Sequence, residues 1–186
     1  MNRLKGLGCY LSGPIDYAKD NGSGWREDLS KFLESRNVKV FNPLDHHFDG
    51  AEEVDTVKKP TMEKMREEGR FSEIRDEMKD IIHWDLRALD LSSFLVVNYD
   101  IETRMAGTLE EMFLANTQTK PVLLMVGSHV KELSTWIFGR FPYDHMFSSW
   151  DQLKDYLIAI DSKDVAFSDA DRKRWLFLNG DHMKED

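Results

Sequence analysis

Between residues 8 and 160, short apolar runs take turns with longer amphipathic segments, and that alternation leaves few folds open. Apolar runs closed by Gly, Pro or Asn suit buried strands, and the segments between them carry apolar residues at helical spacing, so the chain reads as β-α-β units laid into a parallel sheet. Residues 8–13 (Gly-Cys-Tyr-Leu-Ser-Gly) form the first such run, ending at a Gly-Pro turn. Trp25, Leu29, Phe32 and Leu33 mark a helix that starts near Ser23 or Gly24. Residues 38–41 are a second strand, 93–99 a third and the most central, 121–126 a fourth and 146–149 a weaker fifth. Thr108 opens a helix bearing Leu109, Met112 and Phe113, and Leu153, Tyr156, Leu157 and Ile160 mark another. The segment from 45 to 91 reads as two helices separated at Gly69, with Met62, Met65, Ile74, Met78, Ile81 and Ile82 at roughly helical intervals. In open sheets of this kind ligands sit beyond the carboxyl ends of the strands. That directs attention to residues 12–16, 42–45, 98–111 and 127 onward.

A chain of 186 residues suits one domain, taken as 1–160 with a helical insertion around 45–80, and a helical tail over 161–186 in which Trp175, Leu176 and Phe177 would dock. Its net charge of −9 argues against a nucleic-acid backbone or an anionic membrane as partner. A single cysteine, Cys9, excludes an internal disulfide framework and a Cys-rich zinc site, and its apolar setting suits an inert thiol. No apolar stretch approaches the length of a membrane span and no leader-type apolar region stands near residue 1, so the expected compartment is the cytoplasm.

Among residues able to carry chemistry, Gly107-Thr-Leu-Glu-Glu111 follows the third strand directly. Thr108 with Glu111 three residues on has the form of a capping box, which would be purely structural. The same spacing also sets a carboxylate on the first turn of a helix at the ligand edge, aimed as a nucleophile toward a sugar carbon must be. Asp85 shares a helical face with Leu89, and is either a helix-end partner or an acid placed in a pocket. Ser12, Gly13, Pro14 and Asp16 follow the first strand, where backbone groups contact ligands, but lack phosphate-loop spacing and its lysine. Gly6 lies before that strand and Gly8 at its start, neither after it, which excludes a dinucleotide-binding glycine motif. Residues 45–49 (Asp-His-His-Phe-Asp) lack a metal-binding spacing and read as a solvated loop. Asp90, Asp100 and Glu102 read as loop charges, and no nucleophile elbow is present.

Taken in order, Tyr10-Leu-Ser-Gly-Pro14, Asp85-Leu-Arg-Ala-Leu-Asp90, Phe94-Leu-Val-Val97, Gly107-Thr-x-x-Glu111-x-x-x-Ala115 and Lys120-Pro-Val122 resemble the nucleoside 2-deoxyribosyltransferase family, over roughly residues 8–127. The resemblance implies a flavodoxin-like (Rossmann-like) parallel five-stranded sheet with helices on both faces. It implies transfer of 2-deoxyribose between bases through a covalent sugar–enzyme intermediate, with no cofactor and no metal. Glu111 matches the nucleophile and Asp85 the acid that exchanges protons with the base. Tyr10, Ser12, Gly13, Pro14, Gly107 and Thr108 fall where such enzymes meet a nucleoside or nucleotide and a free base. A homo-oligomer is also implied, with residues 130–147 as the contact.

Three departures bear on substrate. Met105 stands where similar sequences have a second aspartate, for which Asp100 or Glu102 would have to substitute. Phe113 stands where a glycine is common and should narrow or reshape the pocket. The insertion before Asp85 would form a lid or a subunit contact. Two other readings stay open: an N-glycosidase that hydrolyses deoxynucleoside 5′-monophosphates, and a binding module without turnover.

Overall fold

The computed structural model describes residues 2–18, 20–45, 58–162 and 167–179. Among these, five strands form one all-parallel sheet: β1 (Gly8–Ser12), β2 (Lys39–Phe41), β3 (Phe94–Asn98), β4 (Val122–Met125) and β5 (Met146–Phe147). Their spatial order is β2-β1-β3-β4-β5, the flavodoxin-like arrangement, with Tyr10 in register with Phe41 on one side and Leu95 on the other. The fifth strand is two residues long, shorter than the apolar pattern predicts.

Helices cover both faces, and the strands divide their side chains between them with the period of two that a pleated backbone imposes. Cys9, Leu11, Phe94, Val96 and Leu123 point into one core, against α1 (Ser23–Glu34) and the later helix α6 (Trp150–Asp161). Tyr10, Leu95, Val97, Val122 and Leu124 point into the other. That second core lies under α3 (Phe71–Leu91), α4 (Ala106–Thr117) and α5 (Thr135–Arg140). Leu29 and Leu33 anchor α1 and are fully buried; cutting either to Ala would cost about 2–5 kcal/mol. Cys9 is buried as its apolar setting predicts, and burial pushes its thiol pKa far up, out of reach of nucleophilic chemistry.

The segment before Asp85 holds two helices, α2 (Lys58–Glu67) and α3, parted by Gly69 at φ +72°, a left-handed backbone that glycine takes without strain. The histidines of the 45–49 stretch and the rest of the insertion up to residue 57 lie outside the described residues. In the tail, α7 (Asp169–Arg174) and α8 (Leu176–Asn179) flank Trp175, which is buried and packs on Phe94 with ring centroids 5.0 Å apart. Leu176, expected to dock beside Trp175, is 79% exposed, because the break between α7 and α8 turns it outward. Among the described residues no helix is long and apolar enough to cross a membrane.

Candidate active site

A cavity of about 540 Å³ opens at the carboxyl edge of the sheet, where β1 and β3 lie side by side and the chain order reverses. Gly13, Pro14, Ile15, Asp16 and Tyr17 come to it from the loop after β1, and Pro43 from the end of β2. Residues 104–108, Glu110 and Glu111 come from the start of α4. Met78, Ile81, Ile82 and Asp85 on α3, with Met62, Glu63 and Arg66 on α2, build the facing wall. The insertion therefore supplies one side of the cavity, which no local motif announces.

Glu111, of that lining, is held by two hydroxyls of β1. Tyr10 Oη donates to its Oε1 at 2.8 Å and Ser12 Oγ donates a short bond to its Oε2. Both donors stand on β1 two residues apart, so both side chains leave the same face of the sheet and meet α4. This grip replaces the capping box that Thr108 and Glu111 suggest. The helix begins three residues earlier than a Thr108 cap would start it, at Ala106, with Met105 as its N-cap and Leu109 N–H already bonded to Met105 O at 2.9 Å. Thr108 is then the third helical residue and Glu111 sits on the second turn, turned toward β1. Burial raises the carboxyl pKa of Glu111; bonds from Ser12 and Tyr10 and the charge of Arg26 pull it part of the way back, and the net position stays above the usual range. Burial, with Glu111 and Asp85 nearby, pushes the Tyr10 phenol well up, so Tyr10 is a neutral donor.

Asp85 lines the cavity from α3, one turn before the fully buried Leu89, and its charge reaches Tyr10 as that of Glu111 does. The two acids thus flank one phenol from different helices. Gly13, Pro14, Gly107 and Thr108 also line the cavity, whereas Tyr10 touches only a small annex of about 20 Å³ and Ser12 neither. Asp100 is not part of the lining. Its carboxylate accepts from Thr103 Oγ1 and from Glu102 N at 3.0 Å, closing its own turn, so it does not stand in for the acid missing at Met105. Met105 itself lines the cavity, as an apolar side chain. Phe113 does not narrow it. Two residues past Glu111 a helix has turned roughly 200°, and Phe113 packs on Phe141 at 5.6 Å on the other side. Lys120 bonds the last carbonyls of α3, Leu89 O at 2.6 Å and Asp90 O at 3.0 Å, a helix-end role.

Arg26 was missed as a part of the site. It is fully buried, stacks on Trp25 at 4.6 Å and donates to backbone carbonyls of Leu11, Gly13, Asn21 and Gly22. The signal was present: Arg26, Leu29 and Leu33 share the i, i+3, i+7 stripe of α1, and a charge on a core stripe needs partners. Among the described residues no group of three or more His, Cys, Asp or Glu has a metal-binding arrangement.

The fold recurs in solved structures. One is a 2-deoxyribosyltransferase from Bacillus psychrosaccharolyticus, 14% identical over 80% of this chain and 91% of that one, with a TM-score of 0.56. A 2-deoxyribosyltransferase from Leishmania mexicana is 14% identical over 82% and 97%, with a TM-score of 0.52. A conserved protein from Enterococcus faecalis V583 is 15% identical over 82% and 97%, with a TM-score of 0.51. No protein-family model and no curated protein matches the sequence. At such identities the likeness establishes the fold.

Proposed function

We propose that this chain moves 2-deoxyribose from one nucleobase to another through a covalent intermediate on Glu111. The observation that carries the reading is the Glu111 carboxylate, fixed by the Tyr10 and Ser12 hydroxyls at a cavity that Asp85 also lines, from α3. A carboxylate so placed supports attack on C1′: the Oε–C1′ bond forms as the C1′–N bond breaks, and the electron pair goes to the base. Asp85 gives the departing base its proton and takes one from the arriving base. Two displacements at one carbon retain configuration and give ping-pong kinetics. No cofactor or metal enters these steps, and the compartment that suits them is the cytoplasm.

A deoxynucleoside, its 5′-monophosphate and an unrelated free base, incubated singly and together, separate the readings. The expected result is a new nucleoside carrying the added base, lost by a factor of about 10³ or more in Glu111→Ala, with a trapped adduct on Glu111 when a slow 2-fluoro sugar is used. Full activity of Glu111→Ala would remove Glu111 from the mechanism.

One feature favours a second reading, hydrolysis of 5′-monophosphates. Arg66 and Arg104 line the cavity and form no ion pair among the described residues, which suits a phosphate. Free base released from the monophosphate alone would select it. Silence from every donor would favour a module that binds without turnover.

The proposal extends to self-association. Trp136 and Tyr143, 70% and 66% exposed, lie with Phe138 in the 130–147 region and offer apolar surface to a second copy. Light scattering should find an oligomer that Trp136→Glu shifts toward monomer, and a monomeric parent would refute this part.

A further inference from the structure

Ser12 stands where a substrate contact is expected, yet it is fully buried and its hydroxyl faces Glu111 instead of the cavity. Its backbone is held from both sides by one guanidinium. Arg26 donates from Nε to Leu11 O at 3.4 Å and from Nη2 to Gly13 O at 2.8 Å, gripping the carbonyls that bracket Ser12. Arg26 Nη1 donates to Gly22 O at 2.9 Å and Asn21 O at 3.3 Å, which fastens the end of β1 to the start of α1. Gly13 leaves no room for a side chain: a Cβ there would meet Trp25 Cζ2 at 3.0 Å and Asn98 Cβ at 3.2 Å. The strand end that carries the Ser12 hydroxyl is therefore fixed by a side chain with several bonds, two of them to Ser12's neighbours.

We propose that Ser12 is a positioning residue that aims the Glu111 carboxylate, and that the Arg26 fork, apart from the charge Arg26 brings near Glu111, acts on that carboxylate through Ser12. This rests on the reading of Glu111 as the attacking group. A hydroxyl has one hydrogen to donate, and Ser12 gives it to Oε2 while Tyr10 holds Oε1, so the two bonds define one orientation of the carboxylate plane. A carboxylate locked in that way presents its lone pairs to C1′ without a rotational search. The bond is strongest while the carboxylate is charged, so it also eases return of Glu111 to the free carboxylate when the sugar leaves. The charged or titratable groups acting on Glu111 are Tyr10 from β1, Arg26 from α1 and Glu110 from α4, with Asp85 on α3 reaching Tyr10.

The test is a carboxyl-carbon NMR titration of the whole chain labelled in glutamate, with Glu111→Gln identifying the Glu111 resonance. Ser12→Ala should move the Glu111 midpoint up by about one pH unit, the effect of losing one hydrogen bond to a charged acceptor. An unmoved midpoint overturns the proposal. Ser12→Cys, which keeps a weak donor, should fall between Ala and the parent. Arg26→Lys keeps a positive charge but loses the fork; it should move the midpoint in the Ser12 chain and add nothing in Ser12→Ala. Additive shifts would show Arg26 acting on Glu111 directly and would overturn the second half, and the Ser12→Ala result decides the first half even where Arg26→Lys does not fold. Because the readout needs no turnover, an inactive parent would count against deoxyribosyl transfer and leave the grip on Glu111 to be judged alone. In an active parent, Ser12→Ala should lower kcat about tenfold with KM little changed.

Discussion

Asp171 in the tail and Glu111 beside the cavity are both carboxylates held by a tyrosine and a serine on the inside of the molecule. Asp171 accepts from Tyr156 Oη at 2.5 Å, Ser168 Oγ at 2.9 Å and Ser168 N at 3.0 Å, and His145 Nε2 stands 3.1 Å away. Glu111 has the hydroxyls of Tyr10 and Ser12. Burial is the largest influence on each and raises both. At Asp171 the bonds from His145, Tyr156 and Ser168 overcome it and pull the pKa down to about 2, whereas at Glu111 burial still wins and the pKa ends raised. Asp171 is enclosed and its lone pairs are taken; Glu111 faces open space on one side. The first arrangement makes a lock, joining α7 to α6 through Tyr156, which also accepts from Trp175 Nε1 at 2.8 Å, and to the turn before β5 through His145. The second leaves a carboxylate with one side toward the cavity.

The strongest way to break this contrast is to disarm each acid in turn. Asp171→Asn should lower stability by about 2–3 kcal/mol, read as a lower urea midpoint, while activity per folded molecule stays at the parental level. Glu111→Gln should abolish transfer yet leave stability within about 1 kcal/mol of the parent. Loss of turnover in folded Asp171→Asn would erase the distinction. Acid sharpens it. The folded pKa of Asp171 lies below its ordinary 3.8, so its contribution is complete above that pH and is lost as pH falls from 3.8 toward 2, roughly 2 kcal/mol in all. Glu111 has the opposite sign: its raised pKa costs stability above 4.5, and acidification relieves the cost. Acid unfolding should therefore be shallower in Asp171→Asn and unchanged or slightly steeper in Glu111→Gln.

The sheet was legible because strands buried on both faces must be apolar along their length, and residues 94–97 and 122–124 are. Glu111 was legible too, but for a reason that fails locally. Thr108 and Glu111 have capping-box spacing, and α4 starts at Ala106 all the same, since tertiary donors on β1 hold the carboxylate better than the helix's own first turn could. Asp100 reads as a loop charge and is one; it does not replace the acid missing at Met105, because a carboxylate two residues before a free N–H closes its own turn more readily than it crosses a cavity. Phe113 misled because nearness in sequence was read as nearness in space. The far wall drawn from α2 and α3 depends on where a long insertion folds back, and no local spacing encodes that.

Tyr10 carries the smallest effect, and it bears directly on how alike the two acids are. Its phenol stays neutral because burial and the charges of Glu111 and Asp85 raise its pKa, so it donates to Glu111 across the working range. Tyr10→Phe removes that donor and leaves the Ser12 bond, which outweighs it among the influences that lower the Glu111 pKa. The acid limb of kcat/KM, or the Glu111 NMR midpoint where turnover is absent, should rise by about half a pH unit, less than in Ser12→Ala. Tyr156→Phe, by contrast, should lower stability and leave that limb where it is, since the phenol there serves Asp171 and the tail. A shift in Tyr10→Phe as large as that in Ser12→Ala would mean that the phenol governs Glu111 as firmly as Tyr156 governs Asp171. The serine held by Arg26 would then no longer be what sets the cavity acid apart.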